Sequence, residues 1–349
     1  KDSITNWKAA PALPSILYDF STIVTRSRVY ILGGNNGSSL VSTVYTAAID
    51  NDGMISSFTS STALPIALCG AGCFVTKSRI FLAGGGTPSG RVSTVYTAPI
   101  NADGTLGTWT TTNALPAAVS SPCPVVTNSR VYLVGGHTSS ATNVVYSAPI
   151  NTNGTIGTWV TETNYPINCS TTQAVVTNNR VHVIGGYVGP SKTPNETAAV
   201  YTAVINSDGT LGPWTATASL PGVLADSVSF VTKNRVWLFG GRAYDVASNV
   251  VYTAPINADG TLGTWTTGTP LPIAANQRGG FATKNYMFVY GGWYVGGSYS
   301  TGYYASITGS LNDYSQFYDG SYVRTDSARF RLPDYSNREE PDCYYFVKA

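Results

Sequence analysis

An internal repeat constrains the fold of this chain more than any other sequence feature. A Gly-Gly pair follows an apolar stretch six times, and the first glycines of the pairs are spaced by 51, 51, 50, 55 and 51 residues. The pairs are Gly33-Gly34, Gly84-Gly85, Gly135-Gly136, Gly185-Gly186, Gly240-Gly241 and Gly291-Gly292. A constant period over most of 349 residues indicates one repeat architecture and not two independent domains.

Other residue types keep the same order within each repeat. The tyrosines that follow the Gly pairs are Tyr45, Tyr96, Tyr146, Tyr201, Tyr252 and Tyr303. The aromatic residues that open each unit are Trp7, Phe58, Trp109, Trp159, Trp214 and Trp265. A Leu or Tyr followed by Pro comes six residues after each of these, and 20 residues further on stands the first glycine in all six copies. Insertions are therefore confined to other parts of the repeat.

Each repeat predicts four short strands. An apolar strand follows the Leu-Pro step, a polar turn leads to a second apolar strand such as residues 236–239, and the Gly pair ends it. Glycine suits that position because it adopts positive φ without steric cost. The third strand carries a Val-Tyr-Thr-Ala run and the fourth carries the tryptophan. The Asn-Ala-Asp-Gly sequence at 257–260 is typical of the hairpin turn that would join them.

The Gly-Gly, Tyr and Trp pattern resembles the kelch repeat family over residues 1–307. This resemblance implies an all-β fold, a six-bladed kelch-type β-propeller in which each repeat supplies one blade. The segment from Ile4 to Trp7 matches the fourth strand at Leu106 to Trp109. We therefore expect the N-terminal strand to complete blade six, since a closed ring leaves no exposed sheet edge. A seventh blade built from the tail is the alternative.

Residues 308–349 break the repeat, and we expect them to form a C-terminal extension for docking or assembly. A Phe-Arg-Leu-Pro-Asp segment at 330–334 precedes an aromatic end, and this arrangement resembles the ends of phage tail-collar and tail-fibre proteins. The alternative is a tail that packs on the ring or on a neighbouring subunit. The chain begins at Lys1, so we expect it to be processed or a piece of a longer protein.

Composition excludes several classes of partner. Only 11% of the residues are charged and the net charge is +2, so binding of nucleic acid through phosphate neutralisation is excluded. The sequence contains no apolar run long enough to span a bilayer, so membrane insertion is not expected. Solubility is carried by Thr, Ser, Asn and 36 Gly, which is typical of an extracellular or virion-surface protein.

The residue after each Gly pair varies between copies, as a core position would not. These residues, together with those before the first strands, predict a ligand-binding mouth at one end of the ring. The candidate site residues are His137, Tyr187, Asp226, Arg242, Arg278, Trp293 and Tyr294. Aromatic faces and hydrogen-bonding groups suit a glycan or a protein partner, and the alternative is that they are ordinary loop residues. The longest loop after a Gly pair runs from Tyr187 to Thr197, and of all the loops it most strongly indicates contact with a partner.

We expect no catalytic residues, no cofactor and no metal site. Some kelch propellers are oxidases or sugar epimerases, but a copper oxidase of that type needs two histidine ligands. His182 lies within a second strand and is expected to pack, which leaves only His137. The Asp-Asn-Asp-Gly sequence at 50–53 is better explained as a hairpin turn than as a calcium loop, because other copies keep the turn with fewer carboxylates. The arginines that recur at the start of the second strands are expected to support the ring.

Cysteines and glycosylation sequons carry weaker expectations. Cys69 and Cys73 are too far apart on one strand to bond to each other, and most of the five thiols are expected to be buried. Cys343 is expected to be the one that finds a partner, in this chain or another. Asn36 and Asn195 stand in sequons in exposed loops and are possible glycosylation sites.

Three functions remain open from the sequence. The preferred one is a non-enzymatic protein of a surface fibre, such as a phage tail or another virion-associated fibre, whose propeller recognises a host glycan or protein. The others are a secreted kelch-type enzyme that acts on sugars and a purely structural subunit of an extracellular filament. Other subunits of a fibre or filament are expected partners of the first and third.

Overall fold

The computed structural model describes residues 3–25, 27–189, 194–232, 234–283, 285–294, 296–308 and 343–344, and in these residues all regular structure is β-strand. Only the backbone is described at residues 307, 308, 343 and 344. The strands of the first half are β1 (Ser3–Ile4), β2 (Lys8–Ala10), β3 (Ser21–Thr25), β4 (Arg28–Leu32), β5 (Val44–Ala48), β6 (Thr59–Ser60), β7 (Gly72–Val75), β8 (Arg79–Ala83), β9 (Gly86–Thr87), β10 (Gly90–Arg91), β11 (Val95–Pro99), β12 (Thr110–Thr112), β13 (Cys123–Val126), β14 (Arg130–Val134), β15 (Val145–Pro149) and β16 (Val160–Thr161). Those of the second half are β17 (Gln173–Thr177), β18 (Arg180–Ile184), β19 (Val200–Val204), β20 (Thr215–Ala216), β21 (Val228–Val231), β22 (Arg235–Ala243), β23 (Val246–Pro255), β24 (Thr266–Thr267), β25 (Gly279–Ala282), β26 (Tyr286–Tyr290), β27 (Trp293–Tyr294), β28 (Gly297–Ser298), β29 (Gly302–Thr308) and β30 (Cys343–Tyr344).

These strands form a six-bladed β-propeller. Blades 1 to 5 each contain four antiparallel strands: β3-β4-β5-β6, β7-β8-β11-β12, β13-β14-β15-β16, β17-β18-β19-β20 and β21-β22-β23-β24. The first strands of successive blades lie side by side around the axis, and the outer strands face away from it. The Trp or Phe that opens each repeat stands just before the outer strand, as Trp159 does before β16, and not within it.

The N-terminal segment completes blade 6, as the sequence predicts. β25, β26 and β29 supply its first three strands, and β1 and β2 both pair with β29 as the outermost strand. Ser3 pairs with Thr308, and Lys8 pairs with Tyr304. The prediction for the tail falls outside the described residues, apart from the backbone of β30, which pairs with the inner strand β3.

The hydrophobic core is divided into six clusters, one at each boundary between neighbouring blades. The cluster between blades 1 and 2, for example, joins Ile23 and Tyr30 to Leu82 and Trp109. The remaining boundaries are filled in the same way by buried aliphatic and aromatic side chains. Burial of one such side chain contributes about 1.5–3 kcal/mol, so adjacent blades stabilise each other and the ring folds as one body.

Close packing at the boundary between blades 6 and 1 explains a glycine in an inner strand. A Cβ atom at Gly279 would lie 2.0 Å from Cε2 of Phe20, so no larger residue fits there without moving the phenyl ring. Phe20 itself is fully buried. The phenyl ring of Phe20 thus fills the space that a side chain at position 279 would need.

At one end of the ring, side chains of one blade donate hydrogen bonds to the hairpin turn of the next blade. Each acceptor is the carbonyl oxygen of the turn glycine. The donor–acceptor pairs are Tyr30–Gly104, Thr76–Gly154, Tyr132–Gly209, Thr177–Gly260 and Thr283–Gly53. Blades 2 and 6 carry Phe81 and Phe288 in place of the tyrosine, and there the threonine hydroxyl makes the bond instead.

The ring closure interrupts this pattern at blade 5. Trp237 occupies the tyrosine position, and its Nε1 is buried without a hydrogen-bond partner among the described residues. The turn that would accept this bond belongs to blade 6. There the third and fourth strands come from opposite ends of the chain, so no hairpin turn joins them. The turn glycine that accepts this bond at other boundaries therefore has no counterpart in blade 6.

Candidate functional site

The candidate site lies on the end of the ring opposite the hairpin turns, which we call the mouth. It consists of the loops after the Gly pairs and the loops that enter the first strands. The residue after each Gly pair forms a β-bridge with the loop that enters the first strand of its own blade. The bridged pairs are Asn35–Tyr18, Gly86–Cys69, His137–Ser120, Tyr187–Ser170, Arg242–Ala225 and Trp293–Asn276. The variable positions thus occupy equivalent places around one face.

Six residues with positive φ surround the axis of the mouth. They are Asp19, Gly70, Ser121, Thr171, Asp226 and Gln277, with φ between 48° and 54°. The backbone N–H of Asp19 donates to the carbonyl of Gln277 (3.1 Å), and those of Gly70, Ser121 and Asp226 donate likewise to the preceding blade. Left-handed backbone is unfavourable for a β-branched residue such as Thr171, so the ring of contacts holds it there. Nothing in the sequence pattern signalled this conformation, since only Gly70 is a glycine.

The strongest polar cluster of the mouth joins blades 4 and 5 around Arg242. Its Nε lies 3.0 Å from Oε1 of Glu196 and 3.6 Å from Oδ2 of Asp226. Its guanidinium carbon lies 4.8 Å from the centroid of the Tyr187 ring, within the range of a cation–π contact. Three of the seven predicted site residues, Tyr187, Asp226 and Arg242, are therefore brought together.

Glu196 is the member of this cluster that sequence reasoning missed. Its side chain is 0% exposed, and its Oε2 has no hydrogen-bond partner among the residues that the structure describes. Glu196 lies in the inserted loop of blade 4 and bridges to Tyr187, at the place that Leu40 and Ala141 take in other blades. The sequence did contain a signal for this role, because Glu196 places a carboxylate at a repeat position where other copies carry apolar residues.

The inserted loop of blade 4 is fixed to the long hairpin of blade 5. The backbone N–H of Asp245 donates to Oε1 of Glu196 (3.2 Å), and Nδ2 of Asn195 donates to Oδ2 of Asp245 (2.7 Å). Asp245 and Tyr244 form the tip between β22 and β23, with φ of 58° and 52°. Two successive residues with positive φ are typical of a tight hairpin turn, where glycine or asparagine is usual. Contacts with the neighbouring loop support this tip.

Exposed aromatic side chains concentrate on blades 5 and 6. Tyr244 is 66% exposed at the tip of the blade 5 hairpin, and Trp293 and Tyr294 are each 39% exposed in β27 of the blade 6 hairpin. Val246 is exposed beside Tyr244. His137 stands on blade 3, across the ring from blade 6, half-buried, with Nδ1 3.1 Å from the carbonyl oxygen of Thr138. The mouth is therefore asymmetric, and its aromatic side is formed by blades 5 and 6.

Arg278 is not on the surface of the mouth, contrary to the expectation that grouped it with the ligand-binding residues. It is 2% exposed, and its Nη2 donates to the carbonyl oxygen of Ile273 (2.8 Å). Burial lowers the pKa of its guanidinium to about 10, so it stays protonated at neutral pH. Arg278 directly follows the positive-φ residue Gln277, and its side chain points into the ring. Phe20 and Ala71 occupy the equivalent buried position in blades 1 and 2.

The structure confirms that His182 is a packing residue. It is fully buried, and its Nε2 lies 2.7 Å from Oγ1 of Thr177 and 3.0 Å from the carbonyl oxygen of Gly260. Burial lowers the pKa of this imidazole to about 4. His182 thus belongs to the hydrogen bonds between blades at the turn end of the ring, far from the mouth.

The hairpin turns and the recurring arginines also have structural roles. In the turn of blade 2, Asp103 accepts hydrogen bonds from the hydroxyl and the backbone N–H of Thr105, and these lower the pKa of its carboxyl. Asp50 accepts from the backbone N–H groups of Asp52 and Met54, so the calcium-like sequence is a turn, as predicted. The arginines, such as Arg79, whose Nε donates to Oγ1 of Thr97, brace second strands against third strands.

Cys73, Cys123 and Cys169 are buried and Cys69 is half-buried, which confirms the expectation that most of the thiols are buried. Burial raises the pKa of the Cys169 thiol to about 12, so it is un-ionised at neutral pH. The side chain of Cys343, the thiol expected to find a partner, lies outside the described part of the chain.

The two sequons differ in how accessible their amide nitrogens are. Nδ2 of Asn195 donates to Oδ2 of Asp245, so a glycan on Asn195 would lie at the contact between blades 4 and 5 and would leave one N–H to maintain it. Oδ1 of Asn36 accepts hydrogen bonds from the backbone N–H groups of Ser38 and Ser39. A glycan on Nδ2 of Asn36 would leave both of these bonds in place.

The described ranges contain neither a metal-binding cluster nor a membrane-spanning helix. No group of three or more His, Cys, Asp and Glu side chains in them is arranged to hold a metal ion. In the same ranges no helix is long and apolar enough to cross a membrane.

Comparison with known proteins shows the fold alone. No protein-family model matches the chain, and no curated protein matches it. Among solved structures, the structure of YjhT superposes with a TM-score of 0.66 at 13% sequence identity and covers 84% of this chain and 95% of that one. Identity this low transfers the propeller architecture but no activity.

Proposed function

We propose that this chain is a non-enzymatic recognition protein and that the part of its mouth formed by blades 4 to 6 binds a glycan. The observation that carries the proposal is the exposure of Tyr244, Trp293 and Tyr294 beside a polar cluster fixed around Arg242. Monomers that fold without a partner rarely leave several large aromatic side chains exposed on one face.

A glycan fits this combination of groups. Aromatic rings offer flat apolar faces for the C–H groups of a sugar ring, and fixed polar groups orient its hydroxyls. The Arg242 cluster is already ordered by its contacts to Glu196, Asp226 and Tyr187, so little conformational entropy is lost when a ligand binds beside it. A protein partner would use the same rings and is an outcome that the test below distinguishes.

The wider setting is part of the same proposal. The Gly-Gly, Tyr and Trp pattern supports a kelch-type repeat, and the six blades agree with it. The low charge and the tail that resembles phage tail-fibre ends support an extracellular or virion-surface protein whose tail docks it to other subunits of a fibre or filament. Neither nucleic acid nor a membrane is a partner in this proposal.

An enzyme that acts on sugars is a second candidate, favoured by one observation. Glu196 and Asp226 place two buried carboxylates on the same guanidinium, and paired carboxylates can serve as a general acid and base. Both, however, already contact Arg242, which is the arrangement of a structural ion pair. Turnover of a sugar that disappears in Asp226→Asn would establish this candidate in place of the first.

The test is binding of the full chain to a glycan array. We expect the wild type to bind a defined set of glycans and the Tyr244→Ala/Trp293→Ala variant to lose at least about tenfold in affinity, because each exposed ring contributes on the order of 1 kcal/mol. The control is Val160→Ala/Val204→Ala, which removes two exposed apolar side chains outside the mouth.

Unchanged affinity in the Tyr244→Ala/Trp293→Ala variant would overturn the placement of the site. If no glycan binds and the same rings bind a protein instead, the proposal that the ligand is a glycan would be overturned. A neighbouring subunit that covers the mouth in the native assembly would replace recognition by a purely structural role.

A further inference from the structure

We propose that residues 3–10 form a releasable strap, which detaches from blade 6 more readily than any other outer strand detaches from its blade. We call these residues the closing segment, since the pairing of β1 and β2 with β29 closes the ring. Release of the closing segment opens the propeller between blades 5 and 6 while the other blades stay folded. The release does not depend on the ligand proposed for the mouth.

The closing segment lacks the covalent restraint that the other outer strands have. In blades 1 to 5 a short hairpin turn joins the third strand to the outer strand, as residues 257–260 do in blade 5. In blade 6 the chain between β2 and β29 runs through the whole ring. A detached outer strand of another blade stays close to its partner on a short loop, which favours its return. The closing segment has no such loop to its pairing partner.

The closing segment also lacks a hydrogen bond that comparable segments make to the preceding blade. In blades 2, 3 and 4 the indole Nε1 of the repeat tryptophan donates to a backbone carbonyl of the preceding unit. The pairs are Trp109–Thr62 (3.4 Å), Trp159–Asn113 (3.0 Å) and Trp214–Thr163 (3.0 Å). Trp7 stands at the same place in blade 6, but its Nε1 is buried without a partner among the described residues. Blade 6 is therefore held to blade 5 without this directional bond.

Within the described part of the chain, the boundary between blades 5 and 6 alone lacks both kinds of hydrogen bond between blades. At the turn end, Trp237 faces a blade without a hairpin glycine, and its Nε1 is also unpartnered there. The two other boundaries without an indole bond keep a bond to a turn glycine. These bonds are Thr177–Gly260 between blades 4 and 5 and Thr283–Gly53 between blades 6 and 1.

A few local contacts hold the closing segment instead. The indole of Trp7 packs edge-on against Phe239 of blade 5, with ring centroids 5.5 Å apart. Oγ1 of Thr5 lies 2.9 Å from Oγ of Ser306, and the backbone N–H of Ser306 donates to Oγ1 of Thr5 (3.0 Å). The ring contact is not directional, and the threonine contacts stay within blade 6. The segment therefore has few interactions to break on release.

Release of the closing segment creates an edge that can bind another strand. Its pairing satisfies backbone groups of β29, and detachment leaves these groups unpaired. An unpaired strand edge beside apolar side chains such as Phe239 accepts a further strand. Residues 3–10 of a second copy are such a strand, so release also permits copies of this chain to exchange the closing segment.

The test is hydrogen exchange of the full chain without ligand, resolved to single amides. One backbone N–H in each blade donates to the third strand from the segment that leads into the outer strand. These six equivalent amides belong to Thr5, Ser56, Gly107, Gly157, Gly212 and Gly263. We expect the protection factor of Thr5 to be at least about tenfold lower than that of each of the others. Equal protection of the six amides would overturn the proposal.

A matched pair of substitutions tests the missing indole bond. Trp159→Phe removes an indole that donates across a boundary, and Trp7→Phe removes one that does not. Both copy Phe58 of blade 1. We expect Trp159→Phe to lower the protection of Gly157 at least about threefold more than Trp7→Phe lowers that of Thr5. Equal losses in the two variants would contradict the weak attachment of the closing segment.

A disulfide supplies a second measurement. Thr5→Cys/Ser306→Cys places two thiols where the hydroxyl oxygens lie 2.9 Å apart, so oxidation ties the closing segment to β29. We expect the oxidised form to protect residues 3–10 at least about tenfold more than the reduced form, with no change in the outer strand of blade 3. Unchanged protection of residues 3–10 in the oxidised monomer would overturn the proposal.

The same oxidation reveals exchange between copies. Dimers joined by the disulfide between positions 5 and 306 would support the proposal, because exchange of the closing segment requires its release. All of these measurements are made without a glycan, so failure of glycan recognition and failure of strand release are separate results.

Discussion

The Nε of Arg242 lies 3.0 Å from Oε1 of Glu196, and this contact crosses from the hairpin of blade 5 to the inserted loop of blade 4. The two residues belong to different repeats, so no pattern within one repeat could reveal their contact. The same oxygen of Glu196 also accepts the backbone N–H of Asp245 at the hairpin tip (3.2 Å). One buried carboxylate thus orders both loops.

This contact predicts different costs for the two acids around Arg242. We expect Glu196→Gln to lower the free energy of unfolding by about 1–3 kcal/mol, a range discounted because the arginine side chain is partly exposed. Asp226→Asn should cost less, since its carboxylate is farther from Nε and asparagine tolerates the positive φ at this position. Urea denaturation of both variants measures the difference, and a larger cost for Asp226→Asn would contradict the role of Glu196.

The hydrogen bonds between blades predict non-additive effects in blade 3. We expect Tyr132→Phe to cost about 0.5–1.5 kcal/mol, because the hydroxyl no longer donates to Gly209. In the wild type the hydroxyl of Thr127 donates to the carbonyl oxygen of Arg130 in its own blade. In Tyr132→Phe this hydroxyl can rotate and donate to the carbonyl oxygen of Gly209 instead, as the hydroxyl of Thr76 donates to that of Gly154 in blade 2.

The double variant Tyr132→Phe/Thr127→Val should therefore cost more than the sum of the single variants. The control is Tyr146→Phe in the same blade, whose hydroxyl forms no hydrogen bond with the described residues and which should cost little. Thermal or urea unfolding provides the measurement. Strict additivity of the two substitutions would show that the threonine does not substitute for the tyrosine.

Burial of His182 predicts loss of stability in mild acid. Its pKa falls from 6.5 to about 4 in the folded protein, so between these values the unfolded chain binds a proton that the folded chain excludes. The stability contributed by the neutral imidazole is fully present above about pH 6.5 and is lost as the pH falls towards 4, by about 3 kcal/mol at most.

The measurement is the urea midpoint at pH 7 and at pH 4.5. We expect His182→Phe, which copies the residue of blades 2 and 6, to have a smaller difference between the two midpoints than the wild type. The control is His137→Gln, which removes the histidine of the mouth and should keep the wild-type difference between the two urea midpoints. An equal pH dependence in wild type and His182→Phe would contradict the burial of a neutral imidazole.

The blades were predictable from the sequence because each repeats the same local chemistry. The Gly pairs end the second strands, the Asn-x-Asp-Gly turns join third and fourth strands, and the match of Ile4 to Trp7 with an outer strand predicted the closure. The mouth was predictable as a location, since loops at equivalent positions of a repeat must share a face. Its detailed contacts were not, because they join different repeats.

Three particular residues show where sequence reasoning ended. Arg278 looked like a ligand contact by its position, but the positive φ of the preceding residue turns it into the ring. Glu196 was overlooked although it stands at a repeat position where other copies carry Leu40 and Ala141, because its contact with Arg242 joins different repeats. Trp237 faces a blade without a hairpin turn because the chain ends meet in blade 6, and this is a feature of the closed ring and not of any single repeat.

The central claim, that the mouth of blades 4 to 6 binds the ligand, is tested most directly by hydrogen exchange with and without a glycan that the array identifies. We expect protection in peptides that cover residues 185–189, 240–249 and 291–299, and no change in the turns at 50–53, 101–104 and 151–154 at the other end of the ring. Protection confined to those turns, or to blades 1 to 3, would contradict the account.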